Sequence, residues 1–126
     1  MDAIAQLSVM RSILSQPGAW TQRAMARKAD GTSTEADDPA ATCFCLMGAM
    51  SRARLTVGET PEAWAVAEPA YRALLRAIEI RTDGRSRWVY EFNDYVAADP
   101  ASVLDVIDTA MEVIRKEPAA CLQRPS

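Results

Sequence analysis

The chain has 126 residues, 49% hydrophobic and 25% charged, enough apolar material for one core in the size range of a single domain. No apolar run approaches the roughly 20 residues that a membrane-spanning helix needs, and Asp2 and Gln6 interrupt any leader-like block, so we expect neither span nor signal peptide and a cytoplasmic address. A net charge of -3 gives the whole molecule no pull toward nucleic acid or anionic lipid.

Residues 2–15 predict a first helix, with Ile4, Leu7, Met10 and Leu14 on one face and Val9 and Ile13 widening it. Pro17-Gly18 ends it, and Trp20 follows as an anchor. Residues 21–35 carry an Asp30-Gly31 turn signal and suit a short hairpin or irregular loop. Asp38 then offers an N-cap and Pro39 a first helical position, which predicts a central helix over 40–53. Gly48 within it disfavours helix by about 1 kcal/mol relative to alanine, which points to the close approach of a neighbour. Arg52 and Arg54 mark its exit.

Thr60-Pro61-Glu62 opens the next helix by the same cap chemistry. Pro69 predicts a division into a short helix near 61–67, carrying Trp64, and a second over 69–80 that buries Tyr71, Leu74, Leu75 and Ile78. After a turn at Thr82-Asp83-Gly84, residues 87–92 alternate in part and fit a short strand or an extended loop. Asp99-Pro100 starts the last helix, over 100–116, with Val103, Leu104, Val106, Ile107, Ala110, Met111 and Ile114 on one face and Asp105, Asp108 and Glu112 on the other. The expected fold is therefore all-α: four or five helices in one domain over 1–117, with at most one small hairpin, and a loose tail over 118–126.

Catalytic chemistry finds few footholds. The chain has no histidine, which removes Ser-His-Asp and Cys-His catalysis and the commonest zinc ligand. Cys43 and Cys45, set on one helix, would point about 200° apart and could not grip one ion, so inert buried thiols are the better reading. With Cys121 they make an odd count, which argues for reduced thiols. No glycine-rich phosphate loop is present, and neither metal nor cofactor is expected. Glu35, Asp37 and Asp38 precede a predicted helix, where carboxylates complement the helix dipole without any catalytic role.

Three features remain for recognition. Asn93-Asp94, between Phe92 and Tyr95, could hold a ligand together with Arg87 and Trp88, although such side chains more often tie a turn to its own backbone. Arg72, Arg76, Arg81, Arg85 and Arg87 lie near Trp88 and Tyr90, a composition that can bind phosphate or single strands, yet interspersed acids favour a compensated, solvated face. The acidic stripe Asp105, Asp108 and Glu112 is either the wet side of its helix or a docking face for a basic partner.

Trp20, Asp38-Pro39-Ala40-Ala41, Cys45 ahead of Gly48-Ala49, and Asn93-Asp94 before a final helix together resemble a small domain of unknown function found in phage and actinobacterial genomes. That domain typically shows a tryptophan after its first helix, a tryptophan–cysteine pair before Gly-Ala, and a Trp-Asn-Asp motif before its last helix. The resemblance runs from about Trp20 to Met111. Phe44 and Phe92 stand where the pattern has tryptophan, and both keep the aromatic packing role. It implies a setting, a phage or bacterial accessory gene, more than a mechanism.

The leading expectation is a non-catalytic protein-binding accessory factor, such as a phage-encoded inhibitor of a host defence complex, acting through Asp105, Asp108 and Glu112 on a basic nucleic-acid-binding partner. The alternative is a small-ligand or nucleotide binder, or a minor enzyme, using Asn93, Asp94, Arg87 and Trp88. A homo-oligomeric structural part is a third reading.

Overall fold

The computed structural model describes residues 2–55 and 61–116, with the side chains of 61–68 left aside. The predicted Thr60 cap, the position of the Trp64 side chain, Cys121 and the tail over 118–126 lie outside the described residues.

Helix α1 spans Ala3–Leu14 and is capped by Asp2, whose carboxylate accepts from the Ala5 amide at 2.8 Å. Its buried face holds Leu7, Met10 and Leu14 as expected, together with Gln6, a polar residue that the apolar spacing does not select. Residues 26–44 form a sheet. Strands β1 (Ala26–Lys28), β2 (Ser33–Thr34) and β3 (Ala41–Phe44) pair antiparallel in the order β2-β1-β3. Asp30-Gly31 makes the turn between β1 and β2, with Gly31 at a φ of 87° that a glycine adopts without steric penalty. The expected hairpin is thus a three-stranded sheet, and the fold is mostly α rather than all-α.

The third strand is built from residues predicted to open the central helix. Asp38 does not cap that helix: its carboxylate accepts the Ala40 amide at 2.8 Å and the Thr34 hydroxyl at 2.5 Å, closing a local turn. Phe44 then donates its amide to the Ala19 carbonyl at 2.7 Å and accepts the Thr21 amide at 3.0 Å, so the chain stays extended through Phe44. Helix α2 begins only at Leu46 and runs Leu46–Arg54, with Cys45 as its cap. Cys43 therefore lies in a strand and Cys45 at a helix start, so the expected placement of both on one helix is corrected. Arg52 reaches back from α2 to the Ala36 and Asp38 carbonyls at 3.0 and 2.9 Å and lies over the Phe44 ring, which fastens the turn to the helix.

Helix α3 is continuous over Pro61–Thr82, with Pro69 inside it rather than dividing it. Proline's fixed φ is compatible with helical geometry, and only one backbone bond is forfeited. The fully buried row Ala70, Ala73, Leu74, Ala77 and Ile78 holds the downstream turns in place. Of the expected strand or extended loop over 87–92, Arg87 and Trp88 are loop with Trp88 extended, but from Val89 the chain is a short helix α4 (Val89–Glu91) that runs into a π-helical turn over Phe92–Val96, where the Ala97 amide bonds to the Phe92 carbonyl at 2.8 Å.

Helix α5, Pro100–Lys116, has the predicted bounds, with Asp99 accepting the Ser102 amide at 2.9 Å. It packs against both α3 and α1, and α1 also packs on α2. Small buried residues at these contacts, Ala49, Ala53, Ala73, Ala77 and Ala110, let the helices approach closely around one core.

Candidate functional site

The residues singled out in the sequence meet where α2 begins. Four backbone amides at a helix start lack partners within the helix and must find them elsewhere. The Cys45 thiol takes the Gly48 amide at 3.2 Å, and the Asn93 side-chain oxygen takes the Leu46 amide at 3.0 Å. That same oxygen accepts the Trp20 indole N–H at 2.8 Å. The Asn93 amide nitrogen donates to the Thr21 carbonyl at 3.1 Å and to Asp94 Oδ1 at 2.9 Å. With two bonds accepted and two donated, the amide has no capacity left, and the residue is 1% exposed.

The loop before β1 completes the junction. The Gln22 side-chain amide donates toward the Asn93, Asp94 and Ala97 carbonyls at 3.0 to 3.4 Å, closing the open end of the π-turn. Arg23, at a φ of 62°, donates its backbone amide to Asp94 Oδ1 at 2.8 Å. Gln22 and Arg23 carry no sequence signal, because their partners lie about seventy residues downstream. Gly48 sits directly under this loop: a Cβ there would stand 1.9 Å from the Met25 carbonyl oxygen, so the predicted close approach is to backbone.

Beside the junction is a cleft of about 390 Å³ bounded by Arg23, Met25, Cys45, Tyr90, Asp94 and Tyr95. Burial pushes the Cys45 thiol up, against the helix-start amides of Gly48 and Met47, and the Asp94 charge adds to the rise. Burial also raises the Tyr90 hydroxyl, with Cys45, Tyr71 and Asp94 adding to it. Both groups are therefore neutral at pH 7, so the cleft offers hydrogen bonds rather than an activated nucleophile. Among the described residues, no three Cys, Asp or Glu side chains converge in a way that could hold a metal ion.

The chain belongs to DUF6197, a family of unknown function. The family's profile matches residues 1–113, a span that contains every motif in the resemblance drawn from the sequence. No curated protein and no solved structure matches the chain.

The other candidates of this DUF6197 chain lie apart from the junction. Arg87 and Trp88 are exposed ahead of α4; the cleft that contains Asp94 is shared instead with Arg23, Cys45 and Tyr90. On α5, each member of the acidic stripe has a cationic partner: Asp105 with Arg81 at 3.4 Å, Asp108 with Arg11 at 2.7 Å, and Glu112 with Arg115 at 3.2 Å. These exposed pairs add little stability but neutralise the stripe locally. In the arginine group, Arg76 pairs with Glu79 and Arg81 with Asp105, whereas Arg85 and Arg87 have no acidic partner among the described residues.

Four of the six large apolar side chains that stand exposed among the described residues fall in residues 88–96. Trp88 is 63% exposed, Tyr90 54%, Tyr95 76% and Val96 46%. No described helix is long and apolar enough to cross a membrane.

Proposed function

We propose that this protein is a non-catalytic binding factor that engages a protein partner through the aromatic and arginine-bearing face formed by residues 85–96. The observation that carries this reading is the concentration of Trp88, Tyr90, Tyr95 and Val96 in solvent on a segment anchored by buried Asn93. Tryptophan, tyrosine and arginine are the side chains that most often dominate binding energy at protein interfaces. A rigid mount lowers the entropy lost when such side chains bind. The neutral thiol and phenol of the cleft and the saturated Asn93 amide favour holding over chemistry.

The cytoplasm is the compartment in which this partner would be met, and the sequence resemblance makes a phage-encoded inhibitor of a host defence complex the setting to search first. The acidic surface of Asp105, Asp108 and Glu112 is the competing docking face, weakened by its cationic partners. Binding lost on reversing all three to lysine, with the aromatic face intact, would favour it. A small-ligand reading draws on the 390 Å³ cleft, a volume within the range of ligand pockets, with Arg23 and Asp94 as its polar groups. A metabolite that raises the melting temperature of wild type but not of Asp94→Ala would favour that reading.

The deciding experiment is capture from host lysate with the wild-type chain and with a Trp88→Ala, Tyr95→Ala double variant, read by mass spectrometry. A partner held by wild type and lost by the folded double variant is the expected result. A partner retained by the double variant overturns the proposal. Light scattering on the purified chain separates a foreign partner from a second copy.

A further inference from the structure

Between the C-terminal end of α3 and the first turns of α5 lies a second hollow, of about 500 Å³. Its floor is apolar, from Phe92, Ala97 and Val106, all buried. Its rim carries Arg81, Arg85, Asp105 and the exposed Tyr95. We infer that this hollow receives an apolar side chain of the partner flanked by carboxylates, so that the protein recognises an acidic segment with an aromatic or branched anchor. The inference rests on the protein-binding reading and specifies the chemistry of its partner.

The two arginines differ in how they are used. Arg81 shares its charge with Asp105 at 3.4 Å. Arg85 donates Nε–H to the Thr82 carbonyl at 3.1 Å, which orients the guanidinium while its terminal amino groups find no partner among the described residues. A pre-oriented guanidinium fork at the mouth of an apolar hollow fits a carboxylate, which it can bind through two parallel bonds. With Asp105 held by Arg81, Arg85 is the uncompensated charge at the rim of a chain that is negative as a whole, and it is what would select an acidic segment over a basic one.

Tyr95 also explains how the hollow joins the proposed interface. Its ring borders both this hollow and the cleft that holds Arg23 and Asp94. A segment laid across Tyr95 meets an arginine on either side. In extended chain, alternate side chains share one face at about 7 Å spacing, so one side chain can enter while those two positions to either side reach the rim.

The test is fluorescence anisotropy on the full chain with three short fluorescein-labelled probes: a phenylalanine with glutamates two positions to either side, the same with lysines for glutamates, and the same with glycine for phenylalanine. The glutamate–phenylalanine probe should bind, and either replacement in the probe should weaken it about tenfold or more. Arg85→Glu, at an exposed position, should weaken it by a similar factor, while Arg115→Glu at the far end of α5 should change it less than about twofold. No binding of the glutamate–phenylalanine probe, equal binding of the lysine probe, an unaffected Arg85→Glu, or an equal loss in Arg115→Glu each overturns the inference. The lysate capture separates the two levels. A partner lost in the Trp88, Tyr95 variant but indifferent to Arg85→Glu removes the acidic-anchor inference alone. A partner retained by both variants removes the interface itself.

Discussion

Asn93 holds Trp20 through a 2.8 Å bond from the indole N–H to its amide oxygen, and the same oxygen takes the Leu46 amide at 3.0 Å. One buried side chain thus joins the loop after α1, the start of α2 and the π-turn before α5. Replacing Asn93 with alanine leaves the buried Leu46 amide and the half-buried Trp20 indole N–H without their acceptor, at about 1–3 kcal/mol for a buried donor. Asn93→Ala is expected to lose about 2–3 kcal/mol by urea denaturation. A loss below about 1 kcal/mol would mean that the junction is dispensable.

Gly48 presents opposing terms. Helix propensity favours alanine by about 1 kcal/mol, but the added methyl would meet the Met25 carbonyl at 1.9 Å, and that atom belongs to the backbone. Overpacking at such a site disfavours the fold by roughly 1–3 kcal/mol, so Gly48→Ala is expected to be destabilising on balance. A raised melting temperature for Gly48→Ala would show that the loop gives way freely.

Gln6 is 2% exposed, and its side-chain nitrogen has no hydrogen-bond partner among the described residues. Methionine has nearly the same shape and no amide to desolvate. Gln6→Met is expected to stabilise the protein by about 1–2 kcal/mol, seen as a higher urea midpoint at unchanged m-value. A lower midpoint would indicate that the amide is satisfied in solution.

Acid stability follows from the turn and cap carboxylates. The Thr34 hydroxyl first, then the Ala40 amide, holds Asp38 below the ordinary aspartate value of 3.8; the Ser102 amide, then its hydroxyl, does the same for Asp99. The unfolded chain therefore binds these protons more readily than the folded one. Their contribution is complete above about pH 4 and is lost as pH falls through the lower folded values. An Asp38→Asn, Asp99→Asn double variant cannot titrate there, and its melting temperature should fall less than that of wild type on acidification. Parallel curves for the two proteins would exclude this origin.

Cys45 is 2% exposed with its thiol raised by burial, while Cys43 is partly exposed on β3. Alkylation at mildly alkaline pH, followed by peptide mass spectrometry, should label Cys43 in the folded protein and Cys45 only on unfolding. Equal labelling rates would place the Cys45 thiol in solvent.

Local signals were legible where the partners are local. Asp99-Pro100 and the apolar spacing that follows define α5 to its observed bounds, because cap and periodicity are both local to the helix. Asp38-Pro39 carries the same signal and misleads. Its carboxylate is taken by Thr34 and Ala40, and Phe44 is drawn into pairing with Ala19 and Thr21, more than twenty residues away. Among the site residues, Trp20, Cys45, Gly48, Asn93 and Tyr95 stood out by type, but Gln22 and Arg23 did not, since their roles depend on which distant carbonyls and carboxylates they face.

The sequence by itself determined that this is a mainly helical fold without histidine chemistry, with tight contact at Gly48. Tertiary structure alone decided that Cys45 rather than Asp38 starts α2, that Asn93 is spent on backbone and indole, and that Trp88, Tyr90 and Tyr95 are left in solvent. The reason is physical: periodicity and caps are written in neighbouring residues, whereas a side-chain amide is satisfied, and a ring is covered, only by groups that folding brings from elsewhere in the chain.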